Sequence, residues 1–172
     1  VDAYRRRAEG DVSLVAPAAI RAGPDLSGDV TAWAVCRLVP FRDELVSLAV
    51  DGGTLRRALA RATGDPYPAW ADWYFGHYAG LRLRYDEDAG EVLSATVDGE
   101  SLDADRTYRL ATTDYYVRSD HLFPALTPDR VCDRYGPQYE AVLDALRDGM
   151  GVPEVSGRVE RVGFEGVPDA TG

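Results

Sequence analysis

Residues 44–63 read ELVSLAVDGGTLRRALARAT, and this stretch decides the fold class. Its first half alternates apolar and polar positions well enough for a β-strand, after which the period changes from two to 3.6. Leu55, Ala58, Leu59 and Ala62 then share one face of a helix for which Thr54 is the predicted cap. Strand followed directly by helix is the first unit. A second follows at 80–99, GLRLRYDEDAGEVLSATVDG, where Leu81, Leu83 and Tyr85 alternate with Arg82 and Arg84 ahead of a DEDAG turn. That pattern predicts an antiparallel hairpin.

Working outward, residues 1–9 (VDAYRRRAE) read as the end of a helix stopped at Gly10, and DVSLVA as a short buried strand. Asp29 or Thr31 can cap a helix running to about Leu38, where Val39-Pro40-Phe41 forces an extended turn. TYRLATTDYY (107–116) predicts another strand, the segment after Pro137 an amphipathic helix, and GRVERVGF a last short strand. Helices and strands intermix, so the expected class is α+β: a single domain with a mixed β-sheet, a hairpin and packed helices. One domain over 1–163 with a tail at 164–172 accounts for the whole 172-residue chain. No internal repeat is present.

Charge narrows the function. The chain carries 29 acidic and 19 basic residues, a net −10, and every basic residue is Arg; Lys and Asn are both missing. Nucleic-acid polymers and anionic membrane surfaces are poor partners for such a surface. A dense carboxylate shell without lysine is what a halophilic protein would show. No run reaches the roughly 18 apolar residues of a membrane span. The chain begins at Val1 and its only methionine is Met150, so a natural start, with any export signal, is expected upstream. Cys36 and Cys132 form no metal or redox spacing, and the favoured reading is two partly buried thiols rather than a bridge.

Catalytic chemistry is thinly supplied. A two-metal hydrolytic centre needs a cluster of His, Asp, Asn or Glu ligands, whereas this chain has His77, His121 and no Asn. The DEDAG carboxylates fall in a turn, where they solvate the loop. No nucleophile elbow, GxGxxG or phosphate loop occurs.

Four segments taken in order carry more than any of them alone: DVSLVAPAAIRAGPDLSGDVT (11–31), LVPFRDELVSLAVDGGTLRRALARA (38–62), YFGHYAGLRLRYDEDAG (74–90) and VDGESLDADRTYRLATTDYY (97–116). Together they resemble the C-terminal domain of the 5'-nucleotidase family, which includes 5'-nucleotidases, UDP-sugar hydrolases and 2',3'-cyclic nucleotide phosphodiesterases. The resemblance runs from about Asp2 to Phe123. It implies a substrate-recognition half whose partner is an N-terminal metallophosphoesterase domain holding two divalent metals, with no metal or catalytic residue in this chain. A nucleotide or nucleoside is the implied ligand, and an extracytoplasmic or cell-surface location the implied setting.

The same resemblance assigns positions. Phe41, in the Pro-Phe turn, and Tyr115, after the TYR strand, match the two aromatics that hold the base, a task suited to flat rings because stacking tolerates any base. Burial in the core is the competing reading for both. Arg21 matches the arginine that reaches the substrate phosphate, where a guanidinium gives a permanent bidentate clamp; a solvated surface arginine is the alternative. The family's Asn-Gly-Gly-Gly-Ile-Arg is here Ala16-Pro17-Ala18-Ala19-Ile20-Arg21, without the Asn and the glycines. Its Asn-Gly-Gly-Asp-Gly is Arg118-Ser119-Asp120-His121-Leu122, leaving Asp120 or His121 for the ribose hydroxyls, or else a plain surface turn. These departures keep open a rival: a degenerate copy serving as a structural or protein-interaction module. The aromatic run YPAWADWYFGHY (67–78) could roof a base pocket, but the favoured reading is a loop folded on the core, with His77 a hydrogen-bonded structural histidine rather than a ligand. Arg5-Arg6-Arg7 reads as a solvated helix face outweighed by nearby acids.

Overall fold

The computed structural model describes residues 1–16, 19–21, 23, 28–64, 76–119, 122–151, 154 and 156–163. Helix α1 (Asp2–Arg7) leads into β1 (Val12–Val15), α2 (Ala32–Leu38), β2 (Glu44–Asp51) and α3 (Gly52–Thr63). Strands β3 (His77–Ala79), β4 (Leu81–Asp86), β5 (Glu91–Val97), β6 (Glu100–Ser101) and β7 (Thr107–Thr113) follow. The chain closes with α4 (Asp114–Arg118), β8 (Val131–Pro137), α5 (Gln138–Arg147) and β9 (Val159–Val162). The class is α+β, as the intermixed periodicities predict.

Among the described residues two mixed sheets stand where one was expected. The first runs β3-β1-β7-β2-β8 and the second β6-β5-β4-β9. The β4–β5 hairpin belongs to the second sheet, its alternation visible as buried Leu81, Leu83 and Tyr85 between exposed Arg82 and Arg84. Strand β2 lies inside the first sheet between β7 and β8 and packs against α3, α4 and α5. Its Leu45–Leu48 run is therefore buried throughout, which a half-exposed strand would not be. Leu55, Ala58, Leu59 and Ala62 of α3 are all buried, joining Leu14, Leu45, Leu48 and Leu110 in one core.

Local chemistry sets the ends of these elements. Thr31, not Asp29, caps α2 by accepting the Ala34 N–H. The cap of α3 lies three residues ahead of Thr54: Asp51 takes the Thr54 N–H at 2.6 Å and its hydroxyl at 2.8 Å. A carboxylate with two acceptor oxygens satisfies both donors where a threonine could take one. Strand β7 stops at Thr113, so Tyr115 and Tyr116 sit on a short helix rather than on the strand. Strand β8 has no counterpart in the sequence pattern, because this edge strand leaves its centre, Cys132-Asp133-Arg134, exposed. Both thiols are free, Cys36 half-buried and Cys132 exposed. The α1 arginines reach acids across the surface: Arg5 to Asp98, Arg6 to Asp148 and Arg7 to Asp144. Residues 67–75 of the aromatic run and the tail 164–172 lie outside the described residues.

Candidate functional site

Topology gathers three of the predicted residues, Arg21, Phe41 and Tyr115, at one end of the first sheet. Strands β1 and β7 run parallel while β2 runs antiparallel to β7. The exits of β1 and β7 and the entry of β2 therefore face the same way. From these ends leave the three segments of interest: Ala16 with 19–21 beyond β1, 41–44 ahead of β2, and 114–119 beyond β7.

Contacts between the segments are specific. The Arg21 guanidinium lies over the Phe41 ring, 5.0 Å from its centroid, and the Arg21 N–H donates to the Leu38 carbonyl at 2.8 Å. A cation over a ring face at that distance is attracted by the ring quadrupole. Phe41 is half-buried and Arg21 exposed, so neither is a core residue. Tyr115 is 47% exposed, which disposes of the core reading for it as well. It meets Tyr116 edge-on at 5.5 Å, and Tyr116 in turn meets Phe123 at 5.3 Å. Buried Tyr116 ties the first segment to the third, its hydroxyl accepting the Ala16 N–H at 3.1 Å. Burial raises the pKa of that hydroxyl above the ordinary tyrosine range, so it stays neutral. Phe41 and Tyr115 share the sheet end but do not stack on each other.

The two ring-bearing segments are joined by a charged network that sequence reasoning missed. Asp114, nearly buried, accepts the Glu44 N–H at 3.0 Å and lies 3.2 Å from Arg118 and 3.7 Å from Arg134. Arg118 also approaches Asp43 at 3.8 Å, and Arg134 pairs with Glu44 at 2.6 Å. Asp43 sits beside Gln138, whose amide oxygen accepts the Tyr4 hydroxyl at 2.8 Å. Burial first, and then the neighbouring Asp114 charge, raise the pKa of the Asp43 carboxyl, while Arg118 opposes the shift. The four-residue spacing of Asp114 and Arg118 was the available signal, since it places an ion pair on one helical turn.

Asp120 and His121 lie outside the described residues. His77 is exposed at the start of β3, with Val15 as its register partner. Among the described residues no group of three or more His, Cys, Asp or Glu side chains could hold a metal ion. No helix among them is long and apolar enough to cross a membrane.

The family model described as the 5'-nucleotidase C-terminal domain matches residues 1–128. The chain belongs to that family. No curated protein matches the domain. Its fold is similar to that of the 5'-nucleotidase precursor from Thermus thermophilus, with a TM-score of 0.78 and 22% identity over 95% of this chain and 34% of that one. A putative 5'-nucleotidase from Staphylococcus aureus gives a TM-score of 0.77 and 17% identity over 92% and 34% of the two chains. For the NAD nucleotidase of Haemophilus influenzae the TM-score is 0.75 and the identity 20%, over 92% and 32%. The domain spans roughly a third of the length of each of these proteins.

Proposed function

We propose that this domain is the nucleoside-recognition half of a two-domain, metal-dependent nucleotide hydrolase, with the base held between Phe41 and Tyr115. The observation that supports it is the convergence of an accessible aromatic from the β2 entry, a second from the β7 exit and the Arg21 guanidinium at one sheet end. Arg21 covers one face of Phe41, so the base takes the other. Stacked there, it leaves the phosphate within the guanidinium's field, and Asp120 or His121 serves the ribose. Two divalent metals in an N-terminal metallophosphoesterase domain would supply the hydrolytic chemistry; this chain's residues bind and orient. A hinge rotation would then bring the bound nucleotide to those metals. An extracytoplasmic or cell-surface setting goes with this reading.

Titrating AMP and adenosine into the chain, followed by intrinsic fluorescence, tests the proposal. Base stacking on an aromatic is worth about 1–3 kcal/mol, so Phe41→Ala or Tyr115→Ala should each weaken binding about fivefold to a hundredfold. Arg21→Ala should weaken AMP and spare adenosine. Lack of any response at millimolar AMP refutes the recognition role.

A further inference from the structure

We propose that Asp114 is the positioning residue that fixes the gap between the two rings, an inference that rests on the base-stacking reading above. The last register pair between β2 and β7 is Leu45 with Thr113. Beyond it the two chains leave the ladder, one back towards Phe41 and the other on to Tyr115. The tie across this opening is the Asp114 carboxylate, which takes the Glu44 N–H at 3.0 Å in place of a backbone acceptor. Glu44 is three residues from Phe41, and Asp114 is the neighbour of Tyr115. One side chain thus links the segments that carry both rings.

The carboxylate is itself braced. Arg118, one turn along α4, lies 3.2 Å from Asp114 and 3.8 Å from Asp43, so its guanidinium spans the same opening a second time. Arg134 approaches from β8, 3.7 Å from Asp114 and 2.6 Å from Glu44. A charge buried to this degree is tolerated because it is paired and hydrogen-bonded. Asparagine would keep the size and one acceptor for the Glu44 N–H but lose the charge that holds both arginines. Asp114→Asn therefore releases the brace with little change of shape.

The test is a double-mutant cycle on AMP affinity. Asp114→Asn should weaken AMP about tenfold in the otherwise unchanged chain, within the range of couplings between groups in one network. In a Phe41→Leu background, where one wall of the gap is gone, the same change should weaken AMP by less than about twofold. A merely structural role would give equal losses in both backgrounds. Equal losses, or a single variant within twofold of the original chain, overturn the inference while leaving the stacking reading standing. If the unmodified chain binds no AMP, both fall together. Should Asp114→Asn not fold, Arg118→Gln at the exposed end of the brace decides alone: a loss of about threefold that vanishes with Phe41→Leu supports the inference, and unchanged affinity overturns it.

Discussion

Replacing Tyr116 with phenylalanine removes one oxygen atom from the joint between the Arg21 segment and the helix that carries Tyr115. In the folded chain that oxygen accepts the Ala16 N–H at 3.1 Å and lies 3.5 Å from the Ala16 carbonyl. The second contact is at the limit for a hydrogen bond and adds little. What Tyr116→Phe costs is therefore one amide left without its acceptor, about 1–3 kcal/mol when fully buried. Ala16 is only half-buried, so water reaches part of it and the lower end, about 1 kcal/mol, applies. The ring and its edge-to-face contacts with Tyr115 and Phe123 survive this change. Tyr116→Ala removes them too, together with a side chain left 3% exposed by folding, which costs about 3–5 kcal/mol. Urea denaturation of the two variants at one salt concentration separates the contributions. The expected ratio is at least three in favour of the ring, and the phenylalanine variant should lose about 2–4 °C in melting temperature. Equal losses for both variants would show that the hydroxyl, not the ring, holds the joint and would refute the reasoning.

Two further outcomes follow from particular atoms. The Asp51 carboxyl is held down to about 2, from an ordinary 3.8, first by the Thr54 N–H, then by the Thr54 hydroxyl and further by Arg130. Because the folded value lies below the unfolded one, this stabilisation is complete above about pH 4 and is lost as the pH falls towards 2. Stability measured from pH 5 to 2 should therefore converge for the original chain and Asp51→Asn, and a constant difference across that range would count against the cap. At Gly80, φ is +79° and an added Cβ would sit 2.1 Å from the Asp11 carbonyl oxygen, whereas at Gly99, with φ +87°, nothing lies within 4 Å. Gly99→Ala should cost the conformational penalty alone, about 1–2 kcal/mol, and Gly80→Ala clearly more; similar melting temperatures for the two would contradict the close approach.

Much of the fold was legible because its elements obey local rules. The α3 face and the β4–β5 hairpin announce themselves by period, and the α2 cap is narrowed to Asp29 or Thr31, of which Thr31 serves. The failures have physical causes. The sequence pattern offers Thr54 as the α3 cap, but Asp51, the last residue of β2, takes that place because its carboxylate can satisfy two donors on Thr54 at once. Strand β8 hides because an edge strand needs no apolar face at its centre, and Cys132-Asp133-Arg134 offers none. That two sheets form rather than one depends on the turn at Gly80, where the chain passes from β3 in the first sheet to β4 in the second. No propensity encodes such a crossing beyond the single glycine that permits it.

The site is legible to a different degree, because it is made by topology rather than by a motif. Ala16 and Arg21, residues 41–44 and residues 114–118 are far apart in the chain, and they come to one sheet end because β1 and β7 run parallel with β2 antiparallel beside them. Once that arrangement is fixed, any side chain just beyond those three strand ends falls in one neighbourhood. An ordered series of weak segments could therefore indicate Arg21, Phe41 and Tyr115 while remaining silent on Asp114 and Arg118, whose importance lies in what they touch. The altered 16–21 segment illustrates the same division. Pro17 to Ala19 lack the glycines that would let backbone approach a ligand closely, yet Ala16 is anchored through its main-chain N–H to Tyr116. An amide can make that bond whatever side chain it carries, so alanine in place of the family's asparagine leaves the tie between Ala16 and Tyr116 intact. On the proposed reading, recognition then rests on stacking more than on hydrogen bonds to the base. Stacking is also the contribution least weakened by salt, which suits a chain whose net charge of −10 repels a phosphate-bearing ligand at long range.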